Sequence, residues 1–270
     1  MRMDDETIDH MVVIRRLPVE CRLAAMARRG DDLGQWLRQV AQTMNVFHRG
    51  TRRSPEISAA ATGKALQASW NANICEVEPF LGTIVYAEID DEIRLLVSRW
   101  IKGRHSILDA RIAAGRVCDG HGDQLADDIF CLADGVRILD CIEFSDQLRY
   151  GDVRADVVFL AMDLERLGRD EAAKRFLADY QELADDPFPA SLVHHYIAMR
   201  AYVRAKVACL RVEQGDAEAR AEACQLHVLA RDHLRRARAK LVLIGGLPGS
   251  GKSIIVGRRR TETRMENASF

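Results

Sequence analysis

The sequence predicts an α+β fold that is mostly helical and has a small β-hairpin region in its middle. Apolar residues recur at three- and four-residue spacings over much of the 270-residue chain, which is the pattern of amphipathic helices. Residues 117–146 instead alternate short apolar runs with Gly and Asp turns, as strands joined by tight turns do. Near the end, an apolar run meets a glycine-rich loop, which predicts the start of a further α/β unit.

Composition places the chain among soluble globular proteins. Hydrophobic residues make up 48%, and the charges nearly cancel to a net charge of -1, so we expect no general attraction to nucleic acid or to an anionic membrane. The start of the chain is acidic, and no apolar run approaches the roughly 18 residues that cross a bilayer. Seven cysteines without a CxxC pair favour reduced thiols. We therefore expect a cytoplasmic protein.

The first half of the chain predicts one strand and then helices. The segment MVVIRRLP is rich in β-branched residues and closes at Pro18, as a strand entering a turn does. An apolar stripe ending at Gly50 and a Ser-Pro-Glu start signal at Ser54 mark helices further on. The predicted elements are a strand at 11–18, a helix at 33–50, one or two helices at 54–79 and one helix at 90–116.

The second half predicts strands followed by long helices. A hairpin is expected around Ala133, Asp134 and Gly135, within the region 117–146. Helical spacing then returns, and the last two helices form a pair joined by the turn QGDAE. The predicted helices lie at 153–167, 170–182, 191–213 and 217–236.

Three aspartates in the middle region have the order and spacing of a phosphoryl-transfer site. Such a site needs a carboxylate to accept the proton of the substrate hydroxyl and, about five residues later, a side chain that binds metal. It also needs an Asp on a neighbouring strand to hold magnesium. Asp123, Asp128 and Asp140 match this order. The region therefore indicates a kinase-like catalytic loop.

The His-Gly-Asp form of this loop resembles the aminoglycoside phosphotransferase family of small-molecule kinases. Further stretches, among them RRLPVECRLAAM, RSPEIS, RVCDGHGD and LDCIEFSDQLRYGDVRADVVFLAMDLERLG, resemble a bacterial group of fusion proteins. In that group, an aminoglycoside-phosphotransferase-like domain precedes a P-loop ATPase or kinase-like domain. The resemblance spans Arg15 to Ser253 and implies a protein-kinase-like fold whose C-lobe is mostly helical.

The resemblance also implies roles for particular residues. It makes Asp123 the catalytic base and His121 a residue that shapes the loop, with ATP and magnesium as cofactors. Asp140 and Asp128 would bind the magnesium. The family usually has Asn at the position of Asp128, so this chain carries an additional negative charge near the triphosphate. Arg16 and Leu17 would lie near the hinge that contacts adenine.

A second nucleotide-binding motif lies near the end of the chain. The segment GLPGSGKS is a full Walker A match and follows the strand-like run LVLI. In such loops, backbone N–H groups surround the phosphates, the lysine reaches the outer phosphates and the serine contacts magnesium. The predicted nucleotide-binding residues are Gly246, Gly249, Gly251, Lys252 and Ser253.

Both ends of the chain are short for this family. Residues 254–270 supply no further strand pattern and no Walker B acid, and the switch of pattern after Ser253 resembles a change of reading frame. No lysine precedes Val12 that could contact the phosphates from the N-lobe. We therefore expect a remnant of the N-lobe and hinge at 1–18, a helical C-lobe at 19–238 and a truncated P-loop domain at 239–270.

These patterns predict an ATP-dependent phosphotransferase that acts on the hydroxyl of an unidentified small molecule. Truncation predicts weak or no activity unless another chain supplies the missing lobes. The alternative is a non-catalytic module that binds a partner or a nucleotide through the helices at 191–236. Its expected polar face consists of His194, His195, Tyr196, Arg200, Arg204 and Lys206. Adjacent histidines on a helix point about 100° apart, which argues against a shared metal ion.

Overall fold

The computed structural model describes residues 16–187 and 189–238, together with two short strands near the start of the chain and the single position Ile254. The glycine-rich segment 241–253 therefore lies outside the described residues, and so do residues 11–15 of the first predicted strand. Arg16, Leu17 and Pro18, which are described, adopt no regular secondary structure.

Helices dominate the described part of the chain. They are α1 (Leu23–Arg29), α2 (Gly34–Gly50), α3 (Pro55–Ala59), α4 (Gly63–Val77), α5 (Ala87–Lys102), α6 (His105–Ala113), α7 (Asp146–Arg149), α8 (Val153–Arg166), α9 (Asp170–Ala184), α10 (Ala190–Glu213) and α11 (Ala219–Arg236). Short 3₁₀ turns lie at Val19–Cys21, Glu78–Phe80 and Ala126–Asp128. The strands are β1 (Arg2–Met3), β2 (Glu6–Thr7), β3 (Val117–Asp119), β4 (Ile129–Leu132), β5 (Gly135–Ile138) and β6 (Tyr150–Asp152).

The strands form small antiparallel pairs. β1 pairs with β2, β3 pairs with β6, and β4 pairs with β5. In the β4–β5 hairpin, Leu132 lies opposite Gly135, so the turn falls where the sequence predicts it. In the β3–β6 pair, Cys118 lies opposite Gly151. This second pairing joins residues far apart in sequence and brings the segment after β3 against α7 and α8.

The core is built around α8, which packs against α9 and α10. A helix with apolar residues on every side is a buried helix, and the run VVFLAM at the centre of α8 is fully buried. Around this centre, α10 packs along α11, α2 packs on α9, and α5 packs on α11. Burial of α8 therefore fixes its polar side chains in one position relative to the rest of the molecule.

Local signals explain where several helices begin. The Ser54 side chain accepts a hydrogen bond from Ile57 N at the start of α3, which has Pro55 in its first turn. Asp152 caps α8 by accepting from Arg154 N at 2.8 Å. Ser and Asp are preferred at these positions because their side chains satisfy N–H groups that have no partner within the helix.

The structure corrects one predicted helix. The apolar spacing predicts a single helix at 90–116, but α5 ends at Lys102 and α6 begins at His105. Gly103 caps α5 through its N–H, which bonds to the carbonyls of Arg99 and Trp100. Because Arg104 leaves the helical conformation, with φ of -130° and ψ of 13°, α6 takes a new direction.

Other features of the described residues agree with the composition. All seven cysteines are free thiols; Cys118, Cys131 and Cys209 are buried, and Cys75 is exposed. None of the helices in the described part of the chain combines the length and the apolar character needed to cross a bilayer. A mostly helical α+β architecture with a small hairpin is thus what the structure contains.

Truncation of Leu160 tests the central position of α8. Leu160 is fully buried, and Leu160→Ala should lower the free energy of unfolding by about 3 kcal/mol, because the lost apolar contacts leave a cavity. Urea denaturation measures this change. Leu95 is 48% exposed, so the control Leu95→Ala should change stability by less than about 0.5 kcal/mol. Equal losses in the two variants would contradict a core centred on α8.

Candidate active site

The loop after β3 is held by one buried carboxylate. Asp156, in the first turn of α8, accepts the backbone N–H of His121 and that of Gly122, each at 2.8 Å, one on each carboxylate oxygen. Asp156 is almost fully buried. Hydrogen bonds to an ionised acceptor are among the stronger ones in proteins, so the backbone that presents Asp123 is anchored directly to the central helix.

Asp156 is itself positioned from two other helices. His48 on α2 contacts Asp156 Oδ2 through Nε2 at 2.9 Å, and its Nδ1 lies 2.6 Å from the hydroxyl of Tyr180 on α9. Burial by itself would raise the pKa of Asp156, but the hydrogen bonds from His48 and from the loop outweigh burial and lower this pKa to about 2. The carboxylate therefore stays ionised at neutral pH and keeps accepting from the loop.

Glycine is required at the centre of the His-Gly-Asp segment. Gly122 has a φ of 88°, a conformation that residues with a Cβ rarely adopt. A Cβ at this position would also lie 3.0 Å from Ile142 Cδ1 and 3.2 Å from Leu148 O. The backbone turns sharply here because Asp156 binds both N–H groups that precede Asp123.

Asp140 belongs to a segment that is bonded to the same loop. The Nε2 of His121 donates to Leu139 O at 3.0 Å, and Ile142 N donates to His121 O at 3.1 Å. Leu139 N in turn donates to Asp128 O at 3.0 Å. These contacts connect His121 to the segment of Asp140, and its role in shaping the loop stays a prediction. Asp140 has a φ of 65°, which is unusual for a residue other than glycine.

The three predicted aspartates interact electrostatically. Burial raises the pKa of Asp128 to about 6, with further contributions from the charges of Asp140, Asp123 and Asp127. Burial also raises the pKa of Asp123. Like charges disfavour ionisation of one another, and Asp123 and Asp140 lie near enough for their charges to act on the pKa of Asp128. We refer to these three residues as the acidic cluster.

Arginines on α10 lie beside this acidic cluster. The Nη1 of Arg204 is 4.0 Å from Asp123 Oδ2. Arg204, Arg200 and His121 each act to lower the pKa of Asp123, although burial outweighs them. The other oxygen, Asp123 Oδ1, is buried and accepts no hydrogen bond from the described residues. Oδ2 of Asp123 is thus adjacent to a cation, whereas Oδ1 has no hydrogen-bond partner within this part of the chain.

The remaining predicted site residues have different outcomes. Gly246, Gly249, Gly251, Lys252 and Ser253 lie outside the described residues. Within residues 16–187 and 189–238, no group of three or more His, Cys, Asp or Glu side chains is arranged to hold a metal ion. A magnesium ion at Asp128 and Asp140 would therefore need its other ligands from water or from phosphates, which is usual for this ion.

The predicted polar face on α10 is wrong for its central residues. His195 is fully buried, accepts from Trp70 Nε1 at 3.1 Å and stacks on Trp100 with ring centroids 3.8 Å apart. Tyr196 is only 4% exposed. His194 instead faces His233 on α11, with 3.1 Å between the two Nδ1 atoms. Helix α10 packs against α4, α8 and α11. The polarity of its residues therefore does not indicate which side of the helix faces solvent.

Motif reasoning misses the residues that support the site. Asp156 lies in a stretch that carries the family resemblance but receives no role from it, and His48 belongs to no motif. Arg204 is predicted only as part of a polar face on α10. One signal was present: Asp156 and Asp163 are acids that directly flank the apolar run VVFLAM of α8. Asp163 Oδ2 accepts the N–H of Ala126 at 2.9 Å, so both of these acids bind the backbone of the segment around Asp123.

Comparison with known proteins finds relatives whose names state no activity. The chain is 40% identical over 245 residues to the uncharacterized protein Mb2027c of Mycobacterium bovis, and equally to the uncharacterized proteins MT2060 and Rv2004c of Mycobacterium tuberculosis. The matched region is 91% of this chain and 49% of each relative, so the chain spans about half the length of these relatives. No family model matches the chain. No solved structure matches it either.

Replacing Asp156 tests the anchor of the loop. Asp156→Asn keeps the volume of the side chain but removes the charge and turns one acceptor into a donor that faces a backbone N–H. We expect the free energy of unfolding to fall by about 3 kcal/mol, because the N–H groups of His121 and Gly122 and the ring of His48 stay buried without the ionised carboxylate that they contact. Urea denaturation measures the loss. Asp109 on α6 is exposed, so Asp109→Asn is the matched control and should be near neutral. A loss at Asp156 no larger than that of the control would rule out the anchor.

Replacing Asp128 tests the acidic cluster through pH. The pKa of Asp128 is raised from its ordinary value of 3.8 to about 6, so the folded state holds the proton more tightly than the unfolded chain does. This carboxyl therefore makes folding less favourable as the pH rises between these two pKa values. In metal-free buffer, Asp128→Asn should therefore raise the free energy of unfolding near neutral pH by on the order of 1 kcal/mol, allowing for solvent screening. The gain should vanish near pH 4. Urea titrations at both pH values measure it, and an equal gain at both would contradict the raised pKa.

Proposed function

We propose that this chain carries the catalytic loop of a phosphotransferase that moves a phosphoryl group from ATP to the hydroxyl of a small molecule. The observation that supports the proposal is the anchoring of His121 and Gly122 by Asp156, which holds the backbone that leads into Asp123, while the charges of Asp123 and Asp140 act on the pKa of Asp128. A loop of this order is what phosphoryl transfer requires. The resemblance of the His-Gly-Asp segment to aminoglycoside phosphotransferases supports the same reaction class.

Asp123 is the proposed catalytic base. Its pKa is raised chiefly by burial, which brings the carboxylate closer to the basicity that proton transfer near neutral pH needs. Its Oδ1 is buried and accepts no hydrogen bond from the described residues, so an acceptor hydroxyl that reaches this oxygen meets no competing donor among them. Arg204, 4.0 Å from Oδ2, keeps the other oxygen oriented and offsets part of the negative charge.

Asp128 and Asp140 are the proposed magnesium ligands. The site's donor chemistry fits this ion, because carboxylate oxygens are its preferred protein ligands and one or two of them commonly suffice when phosphates are also bound. The raised pKa of Asp128, caused first by burial and then by the neighbouring acids, is the signature of negative charge without a matching cation. Bound magnesium supplies neutralisation of the phosphate oxygens. ATP contacts beyond this cluster are assigned by motif alone to residues 246–253.

Turnover by the chain should be slow. Asp128 adds a negative charge near the triphosphate at a position where the resembled family usually has Asn, and this charge weakens nucleotide binding. The acceptor is an unidentified small molecule. The proposal concerns this chain, whose length is about half that of the relatives it matches.

Asp123→Asn tests the proposed base. We expect magnesium-dependent release of phosphate from ATP by the wild-type chain and a loss of at least about 100-fold in this rate in Asp123→Asn, because the base is removed while the shape is kept. A coupled phosphate assay measures the rate. A Lys252→Ala variant separates any turnover at the glycine-rich segment from turnover at the acidic cluster.

The matched control is Asp127, the neighbour of Asp128. Its carboxylate forms an exposed ion pair with Arg28 at 3.2 Å, and pairs of this kind contribute little. Asp127→Asn should therefore keep the wild-type rate. Equal rates in wild type and Asp123→Asn would refute the proposed base, and turnover lost only in Lys252→Ala would move the activity to the glycine-rich segment.

A further inference from the structure

A cavity lies beside the backbone of the His-Gly-Asp segment, between α3 and α4 on one side and α7, β6, α8 and α10 on the other. Its volume is about 520 Å³, which lies within the usual range for pockets that bind small molecules. Leu148, in its wall, also contributes the carbonyl that lies against Gly122. The apolar part of the wall includes Ala60, Ala61, Ala65, Leu66, Ala155 and Met199.

One cation in this wall, Arg200, forms no ion pair in the described part of the chain, although the charges of Asp156 and Asp123 lie near enough to act on its pKa. Asp152 also lies in the wall, but both of its carboxylate oxygens accept from Arg111 at 2.7 Å. Glu56 is exposed to solvent, so water and salt screen its charge. Arg200 is half-buried and forms no ion pair with the described residues. The wall therefore presents one positive charge without an ion-pair partner among the described residues. The wall also contains apolar side chains and the polar side chains of Ser69, Gln147, Tyr150 and Tyr196.

The orientation of Arg200 is set by its neighbours. Its Nε donates to Ala155 O at 2.9 Å, and its guanidinium carbon lies 4.7 Å from the centroid of the Phe159 ring. Within the described part of the chain, its two Nη groups make no hydrogen bond. Burial lowers the pKa of Arg200, and the charges of Asp156 and Asp123 offset this only in part. An arginine nevertheless stays protonated, so its two Nη groups can donate a pair of hydrogen bonds to an oxyanion.

Arg200 lies on the same face of α10 as Arg204, the arginine beside the proposed base Asp123. Arg204, which contacts Asp123, follows Arg200 by four residues on α10, and such residues lie on one face about 6 Å apart along the axis. A small molecule held by Arg200 can therefore extend toward Asp123 along this face. A phosphate dianion would need more than one cation, whereas a carboxylate matches a single guanidinium in charge and in its two-point geometry.

We propose that this cavity binds the acceptor, and that the acceptor is a hydroxylated small molecule with an apolar body and a carboxylate that pairs with Arg200. Its assignment as the acceptor rests on the proposed phosphotransferase function. The binding of a carboxylate at Arg200 stands on the cavity alone. A polycationic acceptor does not suit this wall, because Arg200 repels it.

Three ligands with the same ring test the proposal. They are 4-(hydroxymethyl)benzoate, which is an anion, the neutral 1,4-benzenedimethanol, and the cation of 4-(aminomethyl)benzyl alcohol. NMR titration of the purified full chain should show the anion binding about tenfold more tightly than the neutral ligand, because a charge-assisted bidentate pair is gained. The cation should bind most weakly. Arg200→Gln should remove the preference for the anion.

Control variants separate a lost charge from a lost fold. Arg211 lies on the same helix and pairs with Asp216 and Glu222, so Arg211→Gln should keep the preference. If Arg200→Gln fails to fold, Ala65→Phe replaces it, because this substitution fills the cavity and leaves Arg200 in place. Ala65→Phe should then weaken the binding of the anion at least tenfold.

The outcomes separate this site from the reaction. Equal binding of the anionic and neutral ligands by the wild type, a preference that survives Arg200→Gln, or no binding of any of the three overturns the proposal. Phosphoryl transfer that depends on Asp123 without a preference for the anion would also overturn it and leave the proposed function standing. Anion binding that depends on Arg200, with no phosphorylation of the ligand, supports the site and counts against the reaction.

Discussion

The hydrogen bonds between Asp156 and the backbone of His121 and Gly122 are the interaction on which the site depends. They connect a loop that has little secondary structure of its own to the most deeply buried helix of the molecule. Because α8 packs against α9 and α10, these hydrogen bonds hold the loop in a fixed position against the core. His48 and Tyr180 extend the connection to α2 and α9. A catalytic base can be held in a fixed direction in this way without a rigid loop.

Charge is distributed unevenly around this anchor. On one side, Asp123, Asp128 and Asp140 repel one another, and burial raises the pKa of the first two. On the other side, Arg200 and Arg204 follow one face of α10 and approach Asp123. The acidic side suits a cation, whereas the cavity beside Arg200 suits an anion. In the proposed function, this separation would orient a substrate by charge as well as by shape.

A buried ion-pair network supports the floor of the cavity. Arg111 on α6 forms paired hydrogen bonds with Asp152 and with Asp186, and Arg154 also contacts Asp186 at 3.2 Å. Asp152 caps α8 and pairs β6 with β3. Charges buried in this way are tolerated because each has several partners. The network joins α6, β6, α8 and the end of α9, and so the site is held from the core on two sides.

The sequence by itself determined the class of fold and the order of the candidate catalytic residues. Apolar periodicity located α2, α8, α9, α10 and α11, and turn residues located the β4–β5 hairpin, because both signals act over a few neighbouring residues. The same local reasoning merged α5 with α6, since it did not detect that Gly103 ends a helix. Only the tertiary structure decided that His195 and Tyr196 are buried, that Asp156 anchors the loop and that Arg200 lines a cavity. These properties depend on which helices pack together, and contacts between residues 34 or more positions apart leave no periodic trace in a single sequence.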